Sequence, residues 1–289
     1  SDAPAPPPAQ PLPPISADLP QGPFDLERRS ACTASVCRLD GFVPDASFLQ
    51  TTHEEVPSQG ALWLETIADK SALVMPGSED IDALALVLEG RVGFAEGEPK
   101  KAPAAAELGT WGALRAPGAG YYLQARGGRA SVLMVLTART GTLSDAVDRA
   151  HKKSKAPVLP AGRLETSDLS SVPQFTWGGG AYHARIAFGG SGAERQRASL
   201  TLLQASPKGS LPEEAHDQEW EHLAVLRGSG EMVIGNAKYP AHAGSIFHIP
   251  RSTLQGYSGS GQELAAVLVF SPAGPEQKFV KLGGTGSGK

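Results

Sequence analysis

The stretch ASLTLLQASPKGSLPEEAHDQEWEHLAVLRGSGEMVIG, residues 198–235, contains short apolar runs separated by glycine, proline and charged residues. Runs of this kind, bounded by glycine or proline, are typical of β-strands. A stretch of the same plan, SALVMPGSEDIDALALVLEGRVGFAEG, stands at residues 71–97. In both, a strand ends in glycine ("VLRG" and "VLEG") and a hairpin follows. The repeat distance is well over 100 residues, so the sequence predicts a duplicated β-domain rather than a solenoid.

The composition of the 289-residue chain agrees with two β-domains. It is 40% hydrophobic and 19% charged, and 34 glycines with 24 prolines indicate frequent turns. A net charge of −4 and a pI near 6.0 argue against a nucleic-acid partner. No apolar run is long enough to cross a membrane. We expect a domain boundary near residue 155, at the end of a helix predicted over residues 142–157 and capped by Ser144 or Asp145.

The N-terminal 23 residues contain nine prolines and no hydrophobic periodicity, which predicts an extended, disordered tether over residues 1–25. Cys32 and Cys37 follow it, at a spacing that permits a disulfide. Together they favour a periplasmic, secreted or outer-surface protein, with an upstream lipid anchor as one way to hold it there. A cytoplasmic protein with two free thiols is the alternative. A disordered tail is predicted over residues 281–289.

Acidic and histidine side chains are concentrated in the nine positions from 214 to 222. Because residues i and i+2 of a strand face the same side, Glu214 and His216 are expected to project together into the second domain. Glu221 begins the next strand, and Gln255 comes from a distant one. This oxygen-rich set of one imidazole, two carboxylates and one amide favours Mn²⁺, with Fe²⁺, Zn²⁺ and Ni²⁺ as alternatives. A solvated charged loop is the competing interpretation.

The spacing of these residues resembles the motifs of the cupin superfamily of jelly-roll barrels. Six residues separate Glu221 from Gly228, as they separate the motif glutamate from its glycine. His216 stands at the second histidine position and Glu214 at the first, while Gln255 occupies the place of the last histidine of the second motif. Within the superfamily, Glu-x-His followed later by Gln is most similar to the (S)-ureidoglycine aminohydrolase type, a two-cupin Mn enzyme.

This resemblance implies an all-β chain of two tandem cupin barrels, at residues 26–155 and 156–280, behind the Pro-rich arm. It implies one metal site, in the second barrel, and aminohydrolase-like hydrolysis of a small polar metabolite. Glu221 or His248 would handle protons in that reaction. The alternative for His248 is a hydrogen-bonded packing residue in an apolar strand. A homodimer formed through edge strands is expected only by analogy.

The first barrel has a different residue set at the corresponding positions. Ala83 stands at the position of Glu221, and Tyr122 is expected at that of Gln255, so no metal is predicted there. His222 alternates with Glu221 and is expected to face away from the barrel. A non-catalytic bicupin that binds a sugar or small metabolite outside the cytoplasm is the alternative function.

Overall fold

The computed structural model describes residues 10–26, 28–39, 58–75, 77–101, 103–104, 106–117, 120–153, 164–190 and 197–284. In these residues strands predominate, and they form four sheets. In each half of the chain a six-stranded sheet accompanies a smaller sheet of four or five strands. Two sheets enclosing one apolar core make a jelly-roll barrel. The fold is therefore all-β with two tandem barrels, as the repeated pattern predicts.

The first barrel combines a six-stranded and a five-stranded sheet. The larger sheet has the order β1 (Arg28–Cys32), β3 (Gly60–Ile67), β10 (Ala130–Ala138), β5 (Ile81–Glu89), β8 (Gly112–Pro117) and β11 (Glu165–Asp168). The smaller sheet has the order β2 (Val36–Arg38), β4 (Ala72–Met75), β9 (Tyr121–Ala125), β6 (Val92–Glu96) and β7 (Ala106–Leu108). Its interior is filled by apolar side chains such as Trp63, Leu123 and Met134.

The second barrel repeats this plan. Its larger sheet has the order β12 (Gln174–Trp177), β13 (Tyr182–Phe188), β14 (Leu200–Ala205), β21 (Leu264–Ser271), β16 (Trp220–Arg227) and β19 (Ile246–Ile249). Its smaller sheet has the order β15 (Ser210–Glu214), β20 (Gln255–Gly259), β17 (Ser229–Ile234) and β18 (Ala237–His242). Leu203, Leu223 and Phe247 belong to its apolar interior.

The glycines that end the two "VL-x-G" strands occupy equivalent bulges. The pairing of β5 with β10 and of β16 with β21 is irregular at this point in both barrels. Gly90 and Gly228 have positive φ angles of 81° and 108°. A Cβ atom at Gly228 would lie 2.8 Å from the carbonyl oxygen of Glu263. Glycine is required at this bulge because both the backbone angle and the close approach exclude a side chain.

The two barrels pack through the outer faces of their six-stranded sheets. Leu84 and Leu133 of the first barrel share a buried cluster with Leu200, Leu226 and Val267 of the second. In β16, odd-numbered residues face the barrel interior, and even-numbered residues face the first domain. Both faces of the strand are therefore buried, which explains why it reads as a nearly continuous apolar run.

The connection between the barrels differs in detail from the prediction. Helix α1 spans Leu143–Lys153, and Asp145 N–H donates to Thr142 Oγ1 at 3.1 Å, so Thr142 is the N-terminal cap rather than Ser144 or Asp145. The expected boundary at residue 155 lies outside the described residues. Strand β11 comes after that position, yet it pairs with β8 and extends the sheet of the first barrel.

The described part of the N-terminal arm, residues 10–26, has no helix or strand, as expected of an extended segment, but it packs on the folded domains. Phe24 is buried and meets the Trp111 ring edge-to-face at 5.9 Å. Ile15 N–H donates to the carbonyl of Gly180 at 2.9 Å. These contacts were not predicted, because a Pro-rich segment has no periodicity that indicates a docking face.

Cys32 at the end of β1 and Cys37 in β2 form a disulfide, with their Cα atoms 5.7 Å apart. Residues 1–9 of the predicted arm and 285–289 of the predicted tail lie outside the described residues. Helix α2 (Gln277–Leu282) takes in the first residues of that tail. Neither helix of the described part of the chain is long and apolar enough to cross a membrane.

Candidate metal centre

The four residues predicted as metal ligands converge in the second barrel. Glu214 ends β15 and pairs in register with Gln255 at the start of β20, while His216 lies in the loop before β16. His216 Nε2 is 3.5 Å from Glu214 Oε1 and 3.7 Å from Glu221 Oε2. Gln255 Nε2 donates to Glu221 Oε2. The structure therefore brings all four side chains together, from three strands and one loop.

An irregularity in β15 directs Glu214 toward the other ligands. Leu211 packs against the barrel core, so strict alternation would point residue 213 inward and residue 214 outward. The pairing of β15 with β20 shifts register between Leu211 and Glu214. As a result, Glu213 is exposed and Glu214 reaches His216.

His216 has an unsatisfied ring nitrogen. Its Nε2 is buried and has no hydrogen-bond partner among the described residues. The ring stands edge-on to Phe270, with centroids 5.2 Å apart. Because a buried polar atom without a partner costs roughly 1–3 kcal/mol, this nitrogen is a candidate for binding a ligand.

The carboxyl group of Glu221 has a pKa close to neutral pH. Burial raises its pKa to about 7, against the opposing effects of the nearby His216 and the hydrogen bond from Gln255. Water is excluded because the side chain is almost fully buried at the start of β16. Near neutral pH this carboxyl group can hold or release a proton, which suits acid–base chemistry.

Lys278 is the functional candidate that the sequence did not indicate. It lies in α2, and its Nζ donates to Glu214 Oε1 and stands 5.8 Å from the centre of the Phe270 ring. Burial lowers its pKa to about 8. Phe279, the next residue, is buried and stacks on Trp177 at 5.6 Å, which anchors the helix. The available signal was a lysine beside an aromatic residue in a short helical segment, but no motif spacing linked it to the other ligands.

The donor types suit a divalent ion, and the two separations from His216 are short enough for one, with Lys278 as a competitor. Metal–ligand distances of about 2.0–2.2 Å allow two donors of one ion to lie up to about 4.3 Å apart. Both separations from His216 Nε2 fall inside that limit. No group of three or more His, Cys, Asp or Glu side chains in the described ranges already forms a metal-binding arrangement. Glu214 is instead neutralised by the Lys278 ammonium, which a metal ion would have to displace.

His248 does not line the barrel. Its strand neighbours Phe247 and Ile249 belong to the barrel core, so His248 faces the first domain, where its Nδ1 is 2.8 Å from Nδ1 of His222. This position corrects the expectation that His248 handles protons in the cavity, and it agrees with the alternative of a packing residue. His222 faces away from the barrel, as predicted, with its Nε2 2.9 Å from Gln59 Oε1.

The histidine pair belongs to a hydrogen-bond chain between the barrels. Gln59 Nε2 donates to Ser271 Oγ at 2.7 Å and to the carbonyl of Ala138, so Gln59 Oε1 accepts from His222 Nε2–H. His222 Nδ1 therefore accepts from His248 Nδ1–H. Burial, together with the nearby His248, lowers the pKa of His222 well below its ordinary value. His222 is therefore neutral, and these hydrogen bonds join the two barrels.

The equivalent positions of the first barrel carry apolar or aromatic side chains. Met75 pairs with Tyr121 as Glu214 pairs with Gln255. Tyr121 belongs to the barrel core, whereas Tyr122 packs on the outer face of its sheet. Tyr121, not Tyr122, is thus the counterpart of Gln255, which corrects the predicted position by one residue.

Comparisons with known proteins agree with this architecture. Residues 202–271 match the family model for the cupin domain. The chain is similar to the structure of protein Ylba from E. coli (DUF861), with 14% identity and a TM-score of 0.52 over 74% of this chain and 77% of that one. It is also similar to the S161A mutant of Bacillus subtilis oxalate decarboxylase, with 12% identity and a TM-score of 0.55 over 75% and 70%. A search of curated proteins found no match.

A further structure of the Bacillus subtilis enzyme, from work on its Mn(II) centers, has a TM-score of 0.56 at 12% identity, over 75% of this chain and 70% of that one. At these identities the likeness shows the fold. Together with the family match over residues 202–271, it identifies a cupin domain in the second barrel, and for the first barrel it shows the fold alone.

Proposed function

We propose that the second barrel holds one divalent metal ion, with Mn²⁺ as the first candidate, on Glu214, His216, Glu221 and Gln255. The protein would be an enzyme acting on a small polar metabolite. The observation that carries this proposal is His216 Nε2, which is buried, lacks a hydrogen-bond partner and faces two carboxylates at 3.5 and 3.7 Å. The Mn(II) centers of a protein with a similar fold support the choice of metal.

Aminohydrolase-like hydrolysis is the reaction class we propose, from the resemblance of Glu-x-His and Gln to the (S)-ureidoglycine aminohydrolase type. When bound, the metal supplies a Lewis acid that polarises a carbonyl or imine. Glu221, whose pKa is about 7, holds or releases a proton within the cavity. Lys278 places a positive charge beside the ligand set, suited to binding an anionic group of the substrate.

Metal titration of the purified, chelator-treated protein tests the proposal. We expect one Mn²⁺ per chain, and His216→Ala should weaken binding by at least about 100-fold because it removes the only nitrogen ligand. The matched control is Glu213→Ala, which deletes an exposed carboxylate next to Glu214. Binding with unchanged affinity in His216→Ala, or equal loss in Glu213→Ala, would overturn the assignment.

The ion pair of Lys278 with Glu214 favours a second candidate, a non-catalytic barrel that binds a sugar or small metabolite. In that case the ammonium neutralises the acidic cluster permanently, and no metal enters. The same titration distinguishes the two candidate functions. If the folded wild-type protein takes up no transition metal, the result supports the binding module over the enzyme.

We also propose that the protein acts outside the cytoplasm. The disulfide between Cys32 and Cys37 supports this location, because such bonds persist in oxidising compartments. Labelling intact and lysed cells with a membrane-impermeant maleimide after mild reduction tests it. Labelling of Cys37, the more exposed of the two thiols, is expected in intact cells, and labelling only after lysis would contradict the proposal.

A further inference from the structure

A second polar cavity lies where the two barrels meet, beside the loop that carries His216. Its volume is about 540 Å³, and both domains contribute to its wall. Arg139 follows β10 of the first barrel, while Arg197 precedes β14 and Arg251 follows β19 of the second. Three guanidinium groups from separate segments therefore line one cavity.

The positive charge of this cavity is not balanced by its own walls. No carboxylate is among the described residues that line it. Arg139 is compensated from behind, because its Nη2 and Nε donate to Oδ1 of the buried Asp82 at 2.9 and 3.2 Å. Among the described residues, no carboxylate forms an ion pair with Arg197 or Arg251. Within the part of the chain that the structure describes, two of the three charges thus have no counter-ion.

Arg197 provides an independent sign of a missing ligand. Its Nη1 is buried and has no hydrogen-bond partner among the described residues. A guanidinium nitrogen that is shielded from water and unpaired is costly, because charged donors lose more hydration free energy than neutral ones. An oxygen acceptor inside the cavity would remove this cost.

The remaining polar groups of the wall are also suited to an acceptor-rich ligand. Ser271 Oγ accepts a hydrogen bond from Gln59 Nε2 at 2.7 Å, which leaves its own hydroxyl proton to donate. Thr140 adds a hydroxyl group and Gln218 an amide. Guanidinium forks and hydroxyl donors around one space are the pattern that recognises carboxylate and phosphate oxygens.

We propose that this inter-barrel cavity binds a small dianion carrying carboxylate or phosphate groups, held by Arg197 and Arg251 with Arg139 completing the wall. The charge selects the ligand class, since two uncompensated guanidinium groups match two negative charges. The ligand would bridge the barrels, because Arg139 belongs to one and Arg197 to the other. None of the four proposed metal ligands lines this cavity.

Calorimetric titration with succinate, citrate and inorganic phosphate, each at constant ionic strength, tests the proposal. We expect saturable binding of at least one anion with a Kd below about 1 mM, and a higher melting temperature in its presence. Carboxylate and phosphate compounds are titrated separately, so the class that binds more tightly identifies the chemical type of the dianion. No saturable binding of any of the three would overturn the site.

Substitutions locate the binding. Arg251→Gln, at an exposed position that leaves folding intact, and Arg197→Gln should each raise the Kd at least about tenfold, because each removes one charged fork. Arg197→Lys should recover only part of the affinity, since lysine keeps the charge but not the fork. Arg129→Gln, an exposed arginine elsewhere, is the matched control and should change nothing.

The variant His216→Ala tests whether the anion binds in the inter-barrel cavity or inside the second barrel. Anion binding that persists in His216→Ala supports a cavity independent of the metal centre. Binding that is lost in His216→Ala but kept in both arginine variants would place the anion in the barrel and overturn the proposal. Equal loss in Arg129→Gln would also overturn it, since that result indicates only a general charge effect.

Discussion

The two barrels share a strand order and a glycine bulge, yet their interiors differ at three equivalent positions. Where the first has Met75, Ala83 and Tyr121, the second has the acids Glu214 and Glu221 and the amide Gln255. The first interior is continuous with its apolar core, whereas the second holds a buried polar cluster. One framework can therefore be either a packed scaffold or a site, depending on a few side chains.

The largest expected effect is a pH dependence of the unfolding free energy that comes from the second barrel alone. The pKa of Glu221 is about 7 when folded and near 4.5 when unfolded, so the folded state binds this proton more tightly. Its stabilising contribution is complete below pH 4.5 and is lost as pH rises through 7. In metal-free protein we expect wild type to lose about 3 kcal/mol more than Glu221→Gln between pH 4.5 and 8, measured by urea unfolding. Parallel pH profiles would refute the shift.

A smaller loss is expected from the histidine chain between the barrels, where buried polar groups are satisfied rather than unpaired. Gln59→Leu removes the acceptor of His222 Nε2–H and the donor to Ser271. We expect about 2 kcal/mol of destabilisation, because a buried donor is left unpaired. Chemical denaturation measures it, and Gln124→Leu, at a more exposed glutamine of the first barrel, is the control. Equal effects of the two would contradict the assigned role.

Lys278→Met sharpens the comparison by removing the competitor for Glu214. Mn²⁺ affinity should rise about tenfold, or about 1.4 kcal/mol, since the ion no longer displaces an ammonium from the carboxylate. Calorimetric Mn²⁺ titration measures the change. Lys281→Met, in the same helix, should leave the affinity unchanged. Weaker binding in Lys278→Met would show that the lysine supports the site instead of blocking it.

The smallest effect is expected in the first barrel. The hydroxyl of Tyr121 is buried and has no hydrogen-bond partner among the described residues, so Tyr121→Phe deletes an unsatisfied group. We expect the unfolding free energy to stay within about 0.5 kcal/mol of wild type or to increase. Thermal and urea unfolding measure it. A loss well beyond that range would show that the hydroxyl has a role, and the contrast with the second barrel would weaken.

The fold was predictable because short-range patterns in the sequence determine it. Apolar runs with glycine and proline boundaries mark the strands, and their duplication marks the two barrels. The proximity of Glu214, His216, Glu221 and Gln255 was predictable from motif spacing. Strand alternation alone was the wrong reason, because a register shift turns Glu214 inward and His216 lies in a loop. Their role as metal ligands stays a prediction.

Sequence reasoning missed two kinds of feature: the side of a strand to which a side chain points, and contacts between residues that are distant in sequence. A shift of one residue in a strand reverses the face of a side chain, which separates Tyr121 from Tyr122 and turns His248 away from the cavity. Lys278 reaches the site through the docking of α2, which the stacking of Phe279 on Trp177 helps to fix. Neither the side-chain direction nor the docking of α2 produces a periodic pattern in the sequence.

Strand β11 has a consequence for separating the barrels. It follows the connecting segment in sequence but covers the outer edge of β8 in the first barrel. A first domain that stops at residue 155 would leave the backbone donors and acceptors of β8 open, and an open strand edge invites pairing between molecules. A fragment carried through Asp168 keeps that edge closed. The structural unit of the first barrel therefore extends beyond the connecting segment, although a fragment cut at Asp168 would still expose the apolar face that packs on the second barrel.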